Sequence, residues 1–228
     1  MMSKLIFALL IAVNLFAATA NASIIRPQSG TAGLVGNDLT DPENDGQAEQ
    51  NVGYNAVFRS SINPGFGGQE SAFNVFDNRV GGGNDKWCCN ANVWVEADFG
   101  AKRYSLTSFT ASSANDMIQR DSLKWQILGS NDGINYTSIF SYDKSEPIWT
   151  ARLQTIQFFA GADYAVPAAY SIFRYQSFAT GSNVDHQLAE LEFFGTEVLA
   201  SKVPEPASLA LLGLGMMGLA ANRRRKRA

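Results

Sequence analysis

Apolar and polar residues alternate with a period of two in short runs between residues 93 and 194. Between Val93 and Phe99 the odd-numbered residues are apolar, and the even-numbered ones are Trp94, Glu96 and Asp98. Successive side chains of a strand point to opposite faces, so this pattern predicts strands with one buried face. Similar runs lie at 123–127, 136–140, 153–159, 170–178 and 187–194, with an earlier one at 52–60. Because no convincing amphipathic helix separates them, the runs predict an all-β fold, an antiparallel sandwich or barrel.

A hairpin is predicted between two of these runs. Asn131, Asp132 and Gly133 stand between the runs at 123–127 and 136–140. These residue types tolerate a positive φ, which tight hairpin turns require.

Three tryptophans are expected in the core. Trp94 and Trp125 lie in alternating runs, and Trp87 stands beside two cysteines. Large aromatic side chains in such positions usually supply much of the buried area.

The N-terminus has the order of a secretory signal peptide over residues 1–22. Lys4 precedes an apolar stretch, and Ala20 and Ala22 form a small-residue cleavage site. The apolar stretch is too short to span a bilayer, which needs about 20 residues. We therefore expect export and removal of residues 1–22 by signal peptidase.

The C-terminus carries an uncharged stretch at 207–221, followed by a basic cluster at 223–227. As a helix the stretch would reach about 22 Å, short of the roughly 30 Å of a hydrocarbon core. It is therefore predicted to be a marginal transmembrane segment, either a permanent anchor or a temporary one. Cations tend to stay on the cytoplasmic side, so the preceding chain is placed outside.

The exported part, residues 23–202, is acidic. It holds 12 basic and 20 acidic residues, a net charge of −8. Such a surface repels phosphate backbones, so we expect no nucleic-acid partner. Residues 23–50 are rich in turn-forming residues and predict a loop-rich lead-in to one domain at 51–200.

The only cysteines, Cys88 and Cys89, are adjacent. They cannot staple distant segments, so the fold does not depend on a disulfide framework. Two readings stay open here: a pair of half-buried thiols beside Trp87, or a disulfide between neighbours.

Catalytic signatures are weak. His186 is the only histidine, and no nearby sequence marks a nucleophile that it could activate. We predict that the protein is not an enzyme. A glycosidase pair of carboxylates stays open, because such pairs meet only in three dimensions.

The tail at 203–228 resembles the PEP-CTERM sorting signal of Gram-negative bacteria. The resemblance is carried by Pro204, Glu205 and Pro206, the apolar segment and the basic stop. It implies recognition and cleavage by an exosortase-type membrane peptidase. The protein would then reach the cell surface or the extracellular, biofilm-like matrix after transient anchoring in the inner membrane.

The domain resembles the discoidin or coagulation-factor type C domains, which are galactose-binding-like jelly rolls. The ordered blocks that carry the resemblance lie at 76–78, 86–89, 93–100, 113–116, 120–121, 129–133 and 188–195. The resemblance implies a jelly-roll sandwich that binds carbohydrate, here expected to be exopolysaccharide. A structural or adhesive matrix protein with protein partners, and an envelope glycoside hydrolase, are the alternatives.

The same resemblance implies a structural calcium ion. Asp77 and Glu190 are the expected carboxylate ligands, with the backbone carbonyls of Asn74 and Ala189. The glycines at 81–83 lengthen the intervening loop, so Asp85 is a further candidate. Hard oxygen ligands of this kind suit calcium.

Ligand recognition in this family uses loops at one end of the sandwich. Carried over, the resemblance implies a ligand-binding set in predicted loops: Asn115, Asp116, Arg120, Trp149 and His186. Aromatic rings would stack on sugar faces, and the polar groups would bind hydroxyls.

Overall fold

The computed structural model describes residues 23–26, 34–40, 54–65, 69–183 and 185–199. The predicted signal peptide at 1–22 and the sorting tail at 203–228 lie outside these residues. The chain divides into two compact units, Met1–Val198 and Leu199–Ala228, and the described elements lie in the first. Within the described residues, no helix has the length and apolar character needed to cross a membrane.

Eleven strands and two short 3-10 helices make up the described fold. The strands are β1 Ser23–Arg26, β2 Val57–Ser60, β3 Trp87–Cys88, β4 Trp94–Asp98, β5 Tyr104–Ser112, β6 Ser122–Ser130, β7 Thr137–Asp143, β8 Thr155–Phe159, β9 Ile172–Thr180, β10 Gln187–Leu188 and β11 Glu190–Glu197. The 3-10 helices are Ala72–Phe76 and Ile118–Arg120.

The strands form two main sheets and one small ribbon. One sheet has four strands in the order β1-β8-β5-β11, the other has five in the order β2-β4-β9-β6-β7, and β10 pairs with β3. Every pair between these strands is antiparallel. The all-β antiparallel jelly-roll sandwich expected from the sequence is confirmed.

The predicted alternation places the core. Val95 and Ala97 are fully buried, while Trp94 and Asp98 on the other face are partly exposed. An aromatic cluster fills the centre, where Phe109 stacks on Phe158 with ring centroids 4.7 Å apart. Phe109 also meets Trp125 of the five-stranded sheet, with ring centroids 6.3 Å apart, so the core holds the two sheets together.

The predicted hairpin joins β6 to β7. Gly133 supplies the positive φ, at 68°. Asp132 accepts hydrogen bonds from the backbone of Ile134 and Asn135, at 2.9 Å and 2.8 Å. The side-chain amide of Asn135 also donates to Asp132, at 2.8 Å, and this bond together with the two backbone bonds holds the pKa of Asp132 well below its usual range.

One expectation about the fold is wrong, and two features of the fold were not predicted. Trp94 is not core: it lies on the outer face of the five-stranded sheet, with the Arg174 guanidinium 4.0 Å from its ring centroid. Strand β5, which the sequence pattern did not mark, pairs with both β8 and β11. The lead-in at 23–50 contains β1, and the amide of Leu39 donates to the carbonyl of Phe193 at 2.7 Å.

The strand directions define the end of the sandwich that we call the loop end. β5 ends there at Ser112, opposite the first residue of β11, Glu190. β6 begins there at Ser122, opposite the last residue of β9, Thr180. The segments that meet at the loop end include both 3-10 helices, the β3–β10 ribbon and the connections at 113–121, 144–154 and 181–189.

Candidate functional site

Cys88 and Cys89 form a disulfide at the loop end, which decides between the two readings left open by the sequence. The backbone around Cys88 is held independently. Cys88 pairs with Gln187 across the β3–β10 ribbon, its amide donates to the carbonyl of Glu70 at 3.1 Å, and its carbonyl accepts from Asn63 at 3.0 Å. The disulfide is therefore presented from a fixed strand.

A buried lysine organises the polar groups beside the disulfide. Lys86 is 1% exposed, and its Nζ lies 3.0 Å from Asn115 Oδ1 and 2.8 Å from Asp116 Oδ1. Its Nζ also lies 3.4 Å from Glu70 Oε1. Because a buried cation needs such partners, Lys86 draws three loop side chains together.

Arg120 closes the other side of the disulfide. Its Nη1 lies 3.8 Å from Cys88 Sγ, and its Nε lies 3.7 Å from Asp185 Oδ2. Glu70 Oε2 lies 3.8 Å from Cys89 Sγ. We call the residues gathered here the disulfide cluster: Glu70, Lys86, Cys88, Cys89, Asn115, Asp116, Arg120 and Asp185.

Three of the five predicted ligand residues therefore meet, and two do not. Asn115, Asp116 and Arg120 belong to the disulfide cluster. Trp149 is 1% exposed, and its indole N–H donates to the carbonyl of Ala111 at 3.0 Å. Trp149 is thus a core residue, because its loop folds inward and places the ring against Trp125.

His186 is also withdrawn from solvent. Its exposed fraction is 0%, its ring lies edge-on to Trp87, and its Nε2 lies 3.2 Å from the hydroxyl of Tyr175. Burial lowers the pKa of His186 to about 3, so the ring is neutral at physiological pH. It neither reaches a ligand nor acts as a base at the surface.

Buried polar groups also hold the connection at 113–121 in place. Asp121 is fully buried and pairs with both terminal nitrogens of Arg152. The side-chain amide of Gln187 donates to the carbonyls of Asp116 and Met117, each at 2.9 Å. Such a bidentate pair and two backbone contacts hold Asp116 in place.

Sequence reasoning missed Glu70, Lys86 and Asp185 as members of the disulfide cluster. They come from three separate connections, and no local pattern distinguishes them from ordinary surface charges. The buried Lys86 brings in Glu70, and Asp185 joins the cluster through Arg120.

An open groove borders the disulfide cluster. It has a volume of about 210 Å³, and its lining includes Ile118, Leu123, Pro147 and Gly181. Ile118 and Arg120 share the same 3-10 helix, so the groove and the polar cluster are neighbours. The loop end thus offers apolar and polar surface side by side.

The predicted calcium ligands also lie at the loop end. Asp77 and Glu190 are 0% and 1% exposed, and both accept a hydrogen bond from the backbone amide of Arg79, at 3.2 Å and 3.3 Å. Burial, with the nearby Asp85 charge, raises the pKa of Asp77 to about 8. Burial and the Asp77 charge raise the pKa of Glu190 well above its usual range.

These residues fit a hard cation. Asp77 Oδ2 is buried and has no hydrogen-bond partner within the described part of the chain. Asn74 lies in the 3-10 helix that precedes Asp77, and Ala189 directly precedes Glu190; both are buried. A calcium ion would supply the positive charge that the two carboxylates lack.

The same pair does not fit a glycosidase. Asp77 and Glu190 are buried, whereas the two catalytic carboxyl groups of a glycosidase must flank the scissile bond of a bound sugar. The structure therefore gives this pair no access to a glycosidic bond.

A second charged network lies on the outer face of the five-stranded sheet. Glu96 is 2% exposed and accepts from Arg59, Arg174 and the hydroxyl of Tyr136, at 2.8 Å, 2.8 Å and 2.7 Å. The Arg174 guanidinium lies between the rings of Trp94 and Tyr136. The network ties β2, β4 and β9 together.

Comparison with known families identifies the tail. Residues 202–226 match the family model described as the PEP-CTERM protein-sorting motif, which confirms that part of the sequence reading. A search of curated protein sequences gives no match.

Similar solved structures include carbohydrate-binding modules. The Clostridium perfringens module CpGH89CBM32-5, in complex with GalNAc-β-1,3-galactose, has 15% identity and a TM-score of 0.48, covering 62% of this chain and 96% of its own. The family 32 module of Clostridium perfringens NanJ, in complex with galactose, has 14% identity, coverage of 61% and 93%, and a TM-score of 0.45. Chitosan-binding module 1 from a Paenibacillus sp. IK-5 chitosanase/glucanase has 18% identity, coverage of 62% and 96%, and a TM-score of 0.43.

Proposed function

We propose that this chain is an exported, non-catalytic carbohydrate-binding protein whose ligand site is the disulfide cluster. The observation that carries the proposal is the meeting of Glu70, Asn115 and Asp116 around the buried cation of Lys86 at the loop end, with Arg120 beside the adjoining disulfide. Carboxylate, amide and guanidinium groups at fixed positions match the paired hydroxyls of a sugar.

The charge of the site indicates which class of sugar it would bind. The disulfide cluster holds three carboxylates, Glu70, Asp116 and Asp185, against two cations, Lys86 and Arg120. Together with the net charge of −8 over residues 23–202, this favours neutral or amino sugars over acidic ones. An exopolysaccharide of that composition is the proposed partner.

Sorting by the tail would place this site outside the cell. The match at 202–226 supports recognition by an exosortase-type peptidase, after signal peptidase has acted at the N-terminus. The protein would be held in the inner membrane of a Gram-negative bacterium and then pass to the cell surface or matrix. There a polysaccharide-binding domain would attach the protein to the surrounding polymer.

A structural calcium ion at Asp77 and Glu190 is part of the proposal. Asp77 and Glu190 are buried, while the neighbouring Arg79 side chain is 36% exposed and pairs with Asp85, so the two carboxylates support it. The ion would join the segment after the first 3-10 helix to the start of β11, and so would fix the base of the loop end.

Binding is tested with the purified full-length protein on beads that carry galactose, chitosan oligosaccharide or oligomannuronate, and on exopolysaccharide extracted from cells that express it. We expect retention on at least one neutral or amino-sugar matrix, and weaker retention on oligomannuronate. Replacing Asp116 with Asn should reduce retention, while Ile134→Ser serves as a control far from the loop end. Absence of retention on every matrix would refute the proposal.

A further inference from the structure

The Cys88–Cys89 disulfide does not cross-link separate parts of the chain. It joins neighbours, so it closes no loop of the unfolded chain, and loop closure is the main way a disulfide stabilises a fold. The backbone at Cys88 is already held by Gln187, Glu70 and Asn63. The disulfide therefore adds surface chemistry to the loop end and does not staple it.

Oxidation changes what the two side chains offer to a ligand. Two thiols carry S–H donors and turn independently, whereas the disulfide has no donor and holds both sulfur atoms side by side. Cys88 is 2% exposed and Cys89 is partly exposed. The disulfide thus presents a small, polarisable, apolar surface, and the part that a ligand can reach is formed mainly by Cys89.

Charged groups stand on both sides of this surface. Glu70 Oε2 lies 3.8 Å from Cys89 Sγ, and Arg120 Nη1 lies 3.8 Å from Cys88 Sγ. Their side chains are 30% and 27% exposed, so both can reach a bound molecule. A pyranose ring has an apolar C–H face and hydroxyls around its edge, which is the complement of this arrangement.

Two aromatic rings of the loop end that could take the same role are buried. Trp87 and Trp149 are 0% and 1% exposed. Within the disulfide cluster itself, the two cysteines are the apolar members and the other six are polar or charged. Among the cluster's own residues, a sugar therefore meets the disulfide as its apolar contact, and the groove at Ile118 is the neighbouring apolar surface.

We propose that the oxidised Cys88–Cys89 pair is the platform on which a sugar ring rests, with Glu70 and Arg120 binding hydroxyls at its edge. This inference rests on the proposed function and specifies the contact that determines affinity. Because only the oxidised pair forms the platform, binding depends on the redox state of the two cysteines.

The test compares oxidised and reduced full-length protein on the sugar beads and the extracted exopolysaccharide. A water-soluble phosphine reduces the disulfide to two thiols, and the phosphine becomes its oxide with oxygen from water. We expect about tenfold weaker binding after reduction, which corresponds to about 1.4 kcal/mol. Re-oxidation should restore it.

A double variant, C88S/C89S, supplies the matched control. It should bind about tenfold more weakly than the oxidised wild type, and the phosphine should not change its binding. Unfolding midpoints of both proteins separate loss of contact from loss of fold. If the variant does not fold, the reversible reduction of the wild type still decides.

The outcomes separate this inference from the proposed function. Equal binding by oxidised and reduced protein, while Asp116→Asn weakens binding, would overturn the platform and leave carbohydrate binding intact. No retention of the oxidised wild type on any matrix would overturn both.

Discussion

Replacing Asp77 with Asn should abolish the response of this protein to calcium while leaving the calcium-free fold almost unchanged. Asp77 is fully buried, and its Oδ2 has no hydrogen-bond partner within the described residues. Burial favours the neutral form of this side chain and raises its pKa to about 8. Asparagine has nearly the shape of that neutral form but cannot supply the charge that calcium requires.

The size of the effect follows from binding to the native state alone. Calcium at about 100 times its Kd adds about 2.7 kcal/mol to the free energy of unfolding. For a domain of this size, each kcal/mol moves the midpoint by about 2–4 °C. The wild type should therefore gain about 5–11 °C in calcium over chelator, and Asp77→Asn should gain nothing.

Thermal unfolding followed by circular dichroism, in calcium and in chelator, measures both proteins. Asp143→Asn is the matched control, because the Asp143 carboxylate is 62% exposed and pairs with Lys124 at the surface. This control should respond to calcium like the wild type. The reasoning is wrong if chelator leaves the wild-type midpoint unchanged, or if calcium stabilises Asp77→Asn as strongly as the wild type.

Three further predictions concern other parts of the chain. Glu96→Gln should lower the free energy of unfolding, measured in urea, by about 2 kcal/mol. This is less than the cost of breaking a fully buried ion pair, because Arg59 reaches solvent. An unchanged urea midpoint would contradict the prediction. The pKa of His186 is about 3 in the folded protein and 6.5 in the unfolded chain, so between these values the native state binds fewer protons and its stability falls on acidification. His186→Gln should make the free energy of unfolding less dependent on pH in this interval. An identical dependence in the variant would count against the prediction. Mass spectrometry of the mature protein should find the C-terminus near Glu205, and an intact tail would instead indicate a permanent anchor.

Much of the fold could be predicted because its signal is local. The alternation around Val95 and Ala97 predicted a buried face, and the turn at Gly133 predicted a hairpin. Strand β5 escaped because serine and threonine interrupt its pattern. In the structure their hydroxyls are satisfied across strands, as between Ser112 and Thr155 at 2.8 Å.

The candidate site was predictable only in part. Asn115, Asp116 and Arg120 belong to one connection, so a resemblance at that connection located all three. Trp149 was misplaced because residue type and predicted loop position do not state the direction of a ring. In the structure its indole N–H donates to the carbonyl of Ala111, and the ring lies in the core.

The sequence by itself determined most of the strand pattern, the acidic charge and the C-terminal sorting signal, since each depends on neighbouring residues or on a simple count. Tertiary structure decided which distant side chains meet. Lys86 gathers Glu70 and Asp116 because a buried ammonium must be paired, and no spacing along the chain expresses that requirement. The joining of Cys88 to Cys89 likewise left two readings open in the sequence, and the structure decided between them.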